Sequence, residues 1–67
     1  MNKRDMAVDL LGAFGKFMPD APTQPYYIRL NGKFFCSHDT AELVDQVTAY
    51  FNKSELVDLV SLIVREG

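Results

Sequence analysis

The stretch YYIRLNGKFF, residues 26–35, decides the fold of this chain. Asn31-Gly32 lies between two runs rich in aromatic and aliphatic residues, and Asn-Gly accepts the two positive φ angles of a type I′ turn. A two-residue loop also fixes the register, so that Leu30 faces Lys33 and each earlier residue has a defined partner. The stretch therefore predicts a β-hairpin.

Side-chain alternation gives this hairpin two faces, and neither of them is polar. One face is predicted to hold Tyr26, Ile28, Leu30 and Phe35; the other, Tyr27, Arg29, Phe34 and Cys36. The bulky aliphatic side chains favour burial of the first face. We therefore expect the second face to contact another molecule.

Helices are predicted before and after the hairpin in the sequence. The first is indicated by an apolar face made of Met6, Leu10, Leu11, Ala13, Phe14, Phe17 and Met18, with Asn2 as its cap. Another follows the hairpin, with Asp39 as its cap and apolar positions at Leu43, Val44, Val47, Tyr50 and Phe51. Ser54 is the expected N-cap of the last helix, whose apolar residues are Leu56, Val57, Leu59, Val60, Leu62, Ile63 and Val64.

The proline-rich run at residues 18–25 is expected to be an ordered connector, because neither flanking part is long enough to fold alone. The sequence thus predicts one α+β domain over residues 1–67. Its predicted element order is α-β-β-α-α.

A chain of 67 residues buries only about 60% of the surface that is exposed when it is unfolded. Self-association would add to this buried surface. The apolar sector of the last helix is wider than a one-sided surface helix needs. We therefore expect a homodimer, with Leu59, Leu62 and Ile63 at its interface. The alternative is a monomer whose helices cover both faces of the hairpin.

Charge and cysteine content limit the classes of function. The net charge is −2, with about +2 on residues 1–38 and −4 on residues 39–67, which opposes nucleic acid along the second half. A single thiol, Cys36, excludes an internal disulfide and fits a reducing cytoplasm. No signal peptide or membrane span is indicated.

Catalytic and metal chemistry have little support in the sequence. Cys36 and His38 are the only nucleophile and base that lie close together, and a third group would have to orient the base. A structural zinc site needs four Cys or His ligands, which only two subunits together could supply. We predict no catalytic, metal or cofactor-binding residue.

Two other binding modes stay open. The hairpin could present rings and cations to nucleic acid, although the chain offers few basic residues for phosphate contacts. The first helix could lie on a membrane, but Asp5 and Asp9 interrupt its polar side.

By elimination, the sequence favours a non-enzymatic cytoplasmic regulator or inhibitor that binds a larger protein. The expected partner-binding residues are Tyr27, Arg29, Lys33 and Phe34, because Tyr and Arg often carry interface energy.

Overall fold

The structure, a computed structural model, describes residues 2–66 of the chain. Three helices and a three-stranded antiparallel sheet make up an α+β domain in the order α-β-β-β-α-α. The helices are α1 (Lys3–Phe14), α2 (Thr40–Tyr50) and α3 (Lys53–Glu66), and the strands are β1 (Lys16–Phe17), β2 (Tyr26–Leu30) and β3 (Lys33–Ser37).

The predicted hairpin is confirmed as β2 and β3. Leu30 pairs with Lys33 and Tyr27 pairs with Cys36, in the register that a two-residue loop requires. Asn31 and Gly32 have φ angles of 52° and 80°, both positive as in a type I′ turn.

The structure corrects the prediction for the segment that follows the first helix. Phe17 and Met18 were expected on a helical face, but α1 ends at Phe14 and the extended Gly15 caps it. Residues 16–17 instead form β1, an edge strand in which Lys16 pairs with Tyr27. The amide of Met18 donates to the Pro25 carbonyl at 2.6 Å, so the proline-rich connector closes back onto the sheet.

The core lies between one face of the sheet and the helices. Ile28, Leu30 and Phe35 supply the buried residues of the sheet, which confirms the face that the sequence favoured for burial. The helices supply Met6, Ala7, Leu10, Leu43, Val44, Val47, Leu56 and Leu59, and the C-cap of α2 supplies Phe51.

Within residues 2–66 the helices pack on one face of the sheet only. α1 and α2 contact each other and the sheet, and α3 packs against α1. On the opposite face Arg29 and Phe34 are exposed. The expectation that helices cover both faces of the hairpin is therefore wrong, and this concerns the helix placement rather than the monomer. No helix within residues 2–66 has the length and apolar character needed to cross a bilayer.

Two of the three predicted caps are confirmed, and the third is wrong. Asn2 accepts the amide of Asp5, and Asp39 accepts the amide of Glu42. At α3 the cap is Asn52 rather than Ser54. Its side chain accepts the Glu55 amide at 2.8 Å, while the Glu55 carboxylate accepts the Asn52 amide at 3.0 Å. This reciprocal capping box satisfies two amides, and it places Ser54 inside the first turn.

Candidate functional site

The face of the sheet opposite the core is the main candidate surface, and we call it the outer sheet face. The register places five side chains on it: Lys16, Tyr27, Arg29, Phe34 and Cys36. β1 therefore adds Lys16 to the four hairpin residues that the sequence placed on this face. Sequence analysis missed Lys16 because a two-residue strand has no recognisable periodicity.

An aromatic pair lies at the centre of the outer sheet face. The rings of Tyr27 and Phe34 are stacked, with centroids 5.5 Å apart and planes 29° from parallel. Phe34 remains 49% exposed although it belongs to a regular strand. Because Tyr and Phe have only two χ angles each, a ring pair with this much exposed apolar area would lose little conformational entropy on binding.

Two cations lie beside the aromatic pair. Lys16 of β1 is opposite Tyr27 of β2, and Arg29 of β2 is opposite Phe34 of β3. Together with Phe14 these four residues line a shallow groove of about 460 Å³. The groove therefore combines ring surface with positive charge.

Lys33 does not belong to this surface, although the sequence grouped it with the partner-binding residues. It is opposite Leu30, so its side chain starts from the core side of the sheet. Its amino group lies 5.1 Å from the ring centroid of Tyr50, in a cation–π contact. The structure thus brings Tyr27, Arg29 and Phe34 together and leaves Lys33 on the other side.

The residues predicted for a dimer interface differ in their accessibility. Leu59 is buried in the core of its own chain, and Ile63 is partly buried against that core. Leu62 is 37% exposed. It lines a groove of about 380 Å³ between α3 and the hairpin turn, where Asp58 and Arg65 are neighbours. Of the three, Leu62 offers the most surface to a second molecule.

The structure does not bring Cys36 and His38 together as a nucleophile and base. The Cys36 thiol donates to the side-chain oxygen of Gln24 at 3.3 Å. His38 lies beyond the end of β3, where its ring nitrogens contact Asp39 and Glu42. Neither residue is positioned to activate the other.

His38, Asp39 and Glu42 have ligand atoms within 4.8 Å of one another. The two ring nitrogens of His38 face different carboxylates, each at 3.0 Å, so a single ion cannot replace both contacts. Asp39 also caps α2, where the positive end of the helix dipole disfavours a cation. We interpret this cluster as part of the capping of α2.

Comparison with protein-family models, curated proteins and solved structures finds no match to this chain.

Proposed function

We propose that this chain is a small cytoplasmic regulator or inhibitor that binds a larger protein through its outer sheet face. The observation that carries the proposal is the aromatic pair of Tyr27 and Phe34 beside Lys16 and Arg29, on a face that no helix of residues 2–66 covers. The single thiol, Cys36, is the basis for proposing the cytoplasm.

The residue types on the outer sheet face support a protein partner. Tyr and Arg are enriched among the residues whose truncation costs 2 kcal/mol or more at protein interfaces, and such residues lie near the interface centre. Tyr27 and Arg29 occupy the central strand of the sheet, with Phe34 diagonally opposite Tyr27. A partner that covers the centre of this face would exclude water from all three side chains.

A non-enzymatic role is part of the proposal. Catalysis by a nucleophile requires a base within hydrogen-bond reach and a group that orients the base. In residues 2–66 the thiol of Cys36 is hydrogen bonded to an amide oxygen instead, and His38 contacts Asp39 and Glu42 at the start of α2. These contacts favour binding over chemistry.

We also propose that the chain forms a homodimer, with exposed residues of α3 as the contact. Leu62 is the candidate centre of that contact, because Leu59 is buried within its own chain. The outer sheet face would then remain free for the larger protein.

Nucleic acid is the second candidate partner, and Lys16 is the observation that favours it. With Lys16 the outer sheet face has two cations beside two rings, a combination that binds bases and phosphates in single-stranded nucleic acid. Two phosphate contacts are few for a specific site, however. We therefore rank a protein partner first.

Substitution of the exposed ring tests the proposal. A partner retained from cell extract should bind purified Phe34→Ala at least tenfold more weakly than the wild-type chain, as a central aromatic contact requires. The matched control is Phe17→Ala, because Phe17 is 58% exposed in the same sheet and starts from the opposite face. Equal affinities of both variants for the partner would exclude the outer sheet face as the binding site.

A further inference from the structure

The charge on the outer sheet face is opposite in sign to that of the rest of the chain. Lys16 and Arg29 are the only charged residues at its strand positions, so the face carries +2. The whole chain carries −2, which leaves −4 for all other residues. A partner confined to this face would meet positive charge, whereas one that extends beyond it would meet carboxylates.

A second copy of the chain is a poor occupant of the outer sheet face. In a two-fold symmetric contact the same patch lies on both sides of the interface. Such a contact would bring Lys16 and Arg29 of one copy toward the same cations of the other, and like charges at an interface are unfavourable. The face therefore suits a different molecule with negative charge.

The partner contacts the face rather than extending the sheet at β3. In the hairpin register the carbonyl of Cys36 points away from β2, toward the free edge. The side-chain amide of Gln46 donates to this carbonyl at 2.9 Å, so α2 already occupies an acceptor that an added strand would use. This contact makes strand addition at β3 less favourable than a contact through side chains on the sheet surface.

Carboxylates fit this face better than a phosphate backbone. Lys16 and Arg29 lie on neighbouring strands and are two residues apart in register, which places their Cα atoms roughly 8 Å apart. Two carboxylates in one short protein segment span that distance. A nucleic acid strand would continue past the face toward the acidic remainder of the chain. The rings of Tyr27 and Phe34 also cover part of each other's faces, which leaves less surface for stacked bases.

We infer that the outer sheet face binds a short acidic protein segment, with two carboxylates on Lys16 and Arg29 and an apolar side chain on the ring pair. This inference rests on the proposed function and names the chemistry of its partner. Pairs of this kind are partly exposed, so they contribute specificity and association rate more than affinity.

Nuclear magnetic resonance titration of the full chain tests the inference with three probes. The first is a peptide containing Glu-Ser-Glu-Ser-Leu, whose two glutamates and leucine share one side when it is extended; the second is its Gln-Ser-Gln-Ser-Leu counterpart, and the third is an oligothymidine of similar length. We expect the Glu peptide at millimolar concentration to shift the amides of Lys16, Tyr27, Arg29 and Phe34. The shifts should weaken with added salt, and the Gln peptide should bind several-fold more weakly.

Charge variants provide the matched comparison. Lys16→Glu combined with Arg29→Glu should weaken binding of the Glu peptide by roughly tenfold, and Lys16→Gln with Arg29→Gln by roughly fivefold. Lys53→Glu changes the same kind of charge at the start of α3, away from the face, and should leave binding unchanged. The glutamine pair covers the case in which the glutamate pair fails to fold.

Each contrary result has a distinct meaning. Equal binding of both peptides at the outer sheet face would overturn the acidic partner and leave protein binding in place. Binding of oligothymidine alone would overturn both the inference and the proposed protein partner. Shifts elsewhere, or no shift with any probe, would overturn the inference, while the Phe34→Ala comparison would still decide the proposed function.

Discussion

Two glycines differ in whether their backbone conformation requires glycine. Gly32 has a φ of +80° in the hairpin turn, where any L side chain is strained. Gly12 lies in α1, and apart from its chain neighbours and the nearby backbone of its own helix no atom lies within 4 Å of the position that a Cβ would occupy. At Gly12 the missing side chain only weakens the helix.

The same substitution should therefore change stability in opposite directions at these two positions. Gly32→Ala should lower the free energy of unfolding by about 1 kcal/mol, because alanine is strained at positive φ. Gly12→Ala should raise it by about 0.5–1 kcal/mol through helix propensity. Urea unfolding followed by circular dichroism measures both. A Gly32→Ala chain as stable as wild type would mean that the turn does not hold the type I′ geometry.

Local signals predicted the hairpin and the caps of α1 and α2, because each depends on residues that are neighbours in sequence. Asn31-Gly32 alone determines which residues of β2 and β3 pair. The same locality explains why the sequence alone groups Tyr27, Arg29 and Phe34 on one face.

β1 could not be predicted in the same way, because it exists only through a distant contact. Its two residues lie between a helix and a proline-rich connector, and they become a strand by pairing with Tyr26 and Tyr27 of β2. Lys16 joins the candidate site through this pairing. The placement of Lys33 above Tyr50 also depends on the packing of α2 against the sheet, which the hairpin sequence does not contain.

The start of α3 offers a direct comparison of two candidate caps. Asn52→Ala should destabilise the chain by about 1 kcal/mol, because it leaves the Glu55 amide without its acceptor. Ser54→Ala should change the free energy of unfolding by less than about 0.5 kcal/mol, because alanine is a good helix former at a position inside the first turn. Thermal or urea unfolding of the two variants decides between them. A larger loss for Ser54→Ala would assign the cap to Ser54.

At the scale of the whole molecule, the single chain is already compact. Its accessible surface is 4405 Å², close to the roughly 4,300 Å² typical of a folded monomeric protein of this mass. Its radius of gyration, 11.4 Å, is close to the roughly 11 Å expected for a domain of this length. One chain is therefore as compact as an ordinary folded monomer, and we expect that the proposed dimer can be disrupted without unfolding the chain.

The proposed homodimer has a self-complementary arrangement available on α3. If two antiparallel α3 helices meet at a two-fold axis near Leu62, Arg65 of one copy lies opposite Asp58 of the other. Both residues line the groove that contains Leu62. The contact would then combine a central apolar side chain with two symmetric ion pairs.

Sedimentation equilibrium across a concentration series tests this contact. We expect the average mass of the wild-type chain to rise toward twice 7.6 kDa with concentration. Leu62→Glu should stay monomeric and folded, because it places carboxylates at the centre of the contact without opening the core. Val8→Glu is the control, since Val8 is an exposed apolar residue of α1, and it should associate like wild type.

A charge exchange distinguishes the antiparallel geometry from other contacts through Leu62. Arg65→Glu alone should weaken association by placing glutamate opposite Asp58. Adding Asp58→Arg should restore it, because the exchanged pair has the same complementarity across the two-fold axis. A failure of the double variant to recover would contradict the antiparallel contact. A wild-type chain that is monomeric at every concentration would remove the homodimer from the proposed function, and the outer sheet face would stand alone as the binding surface.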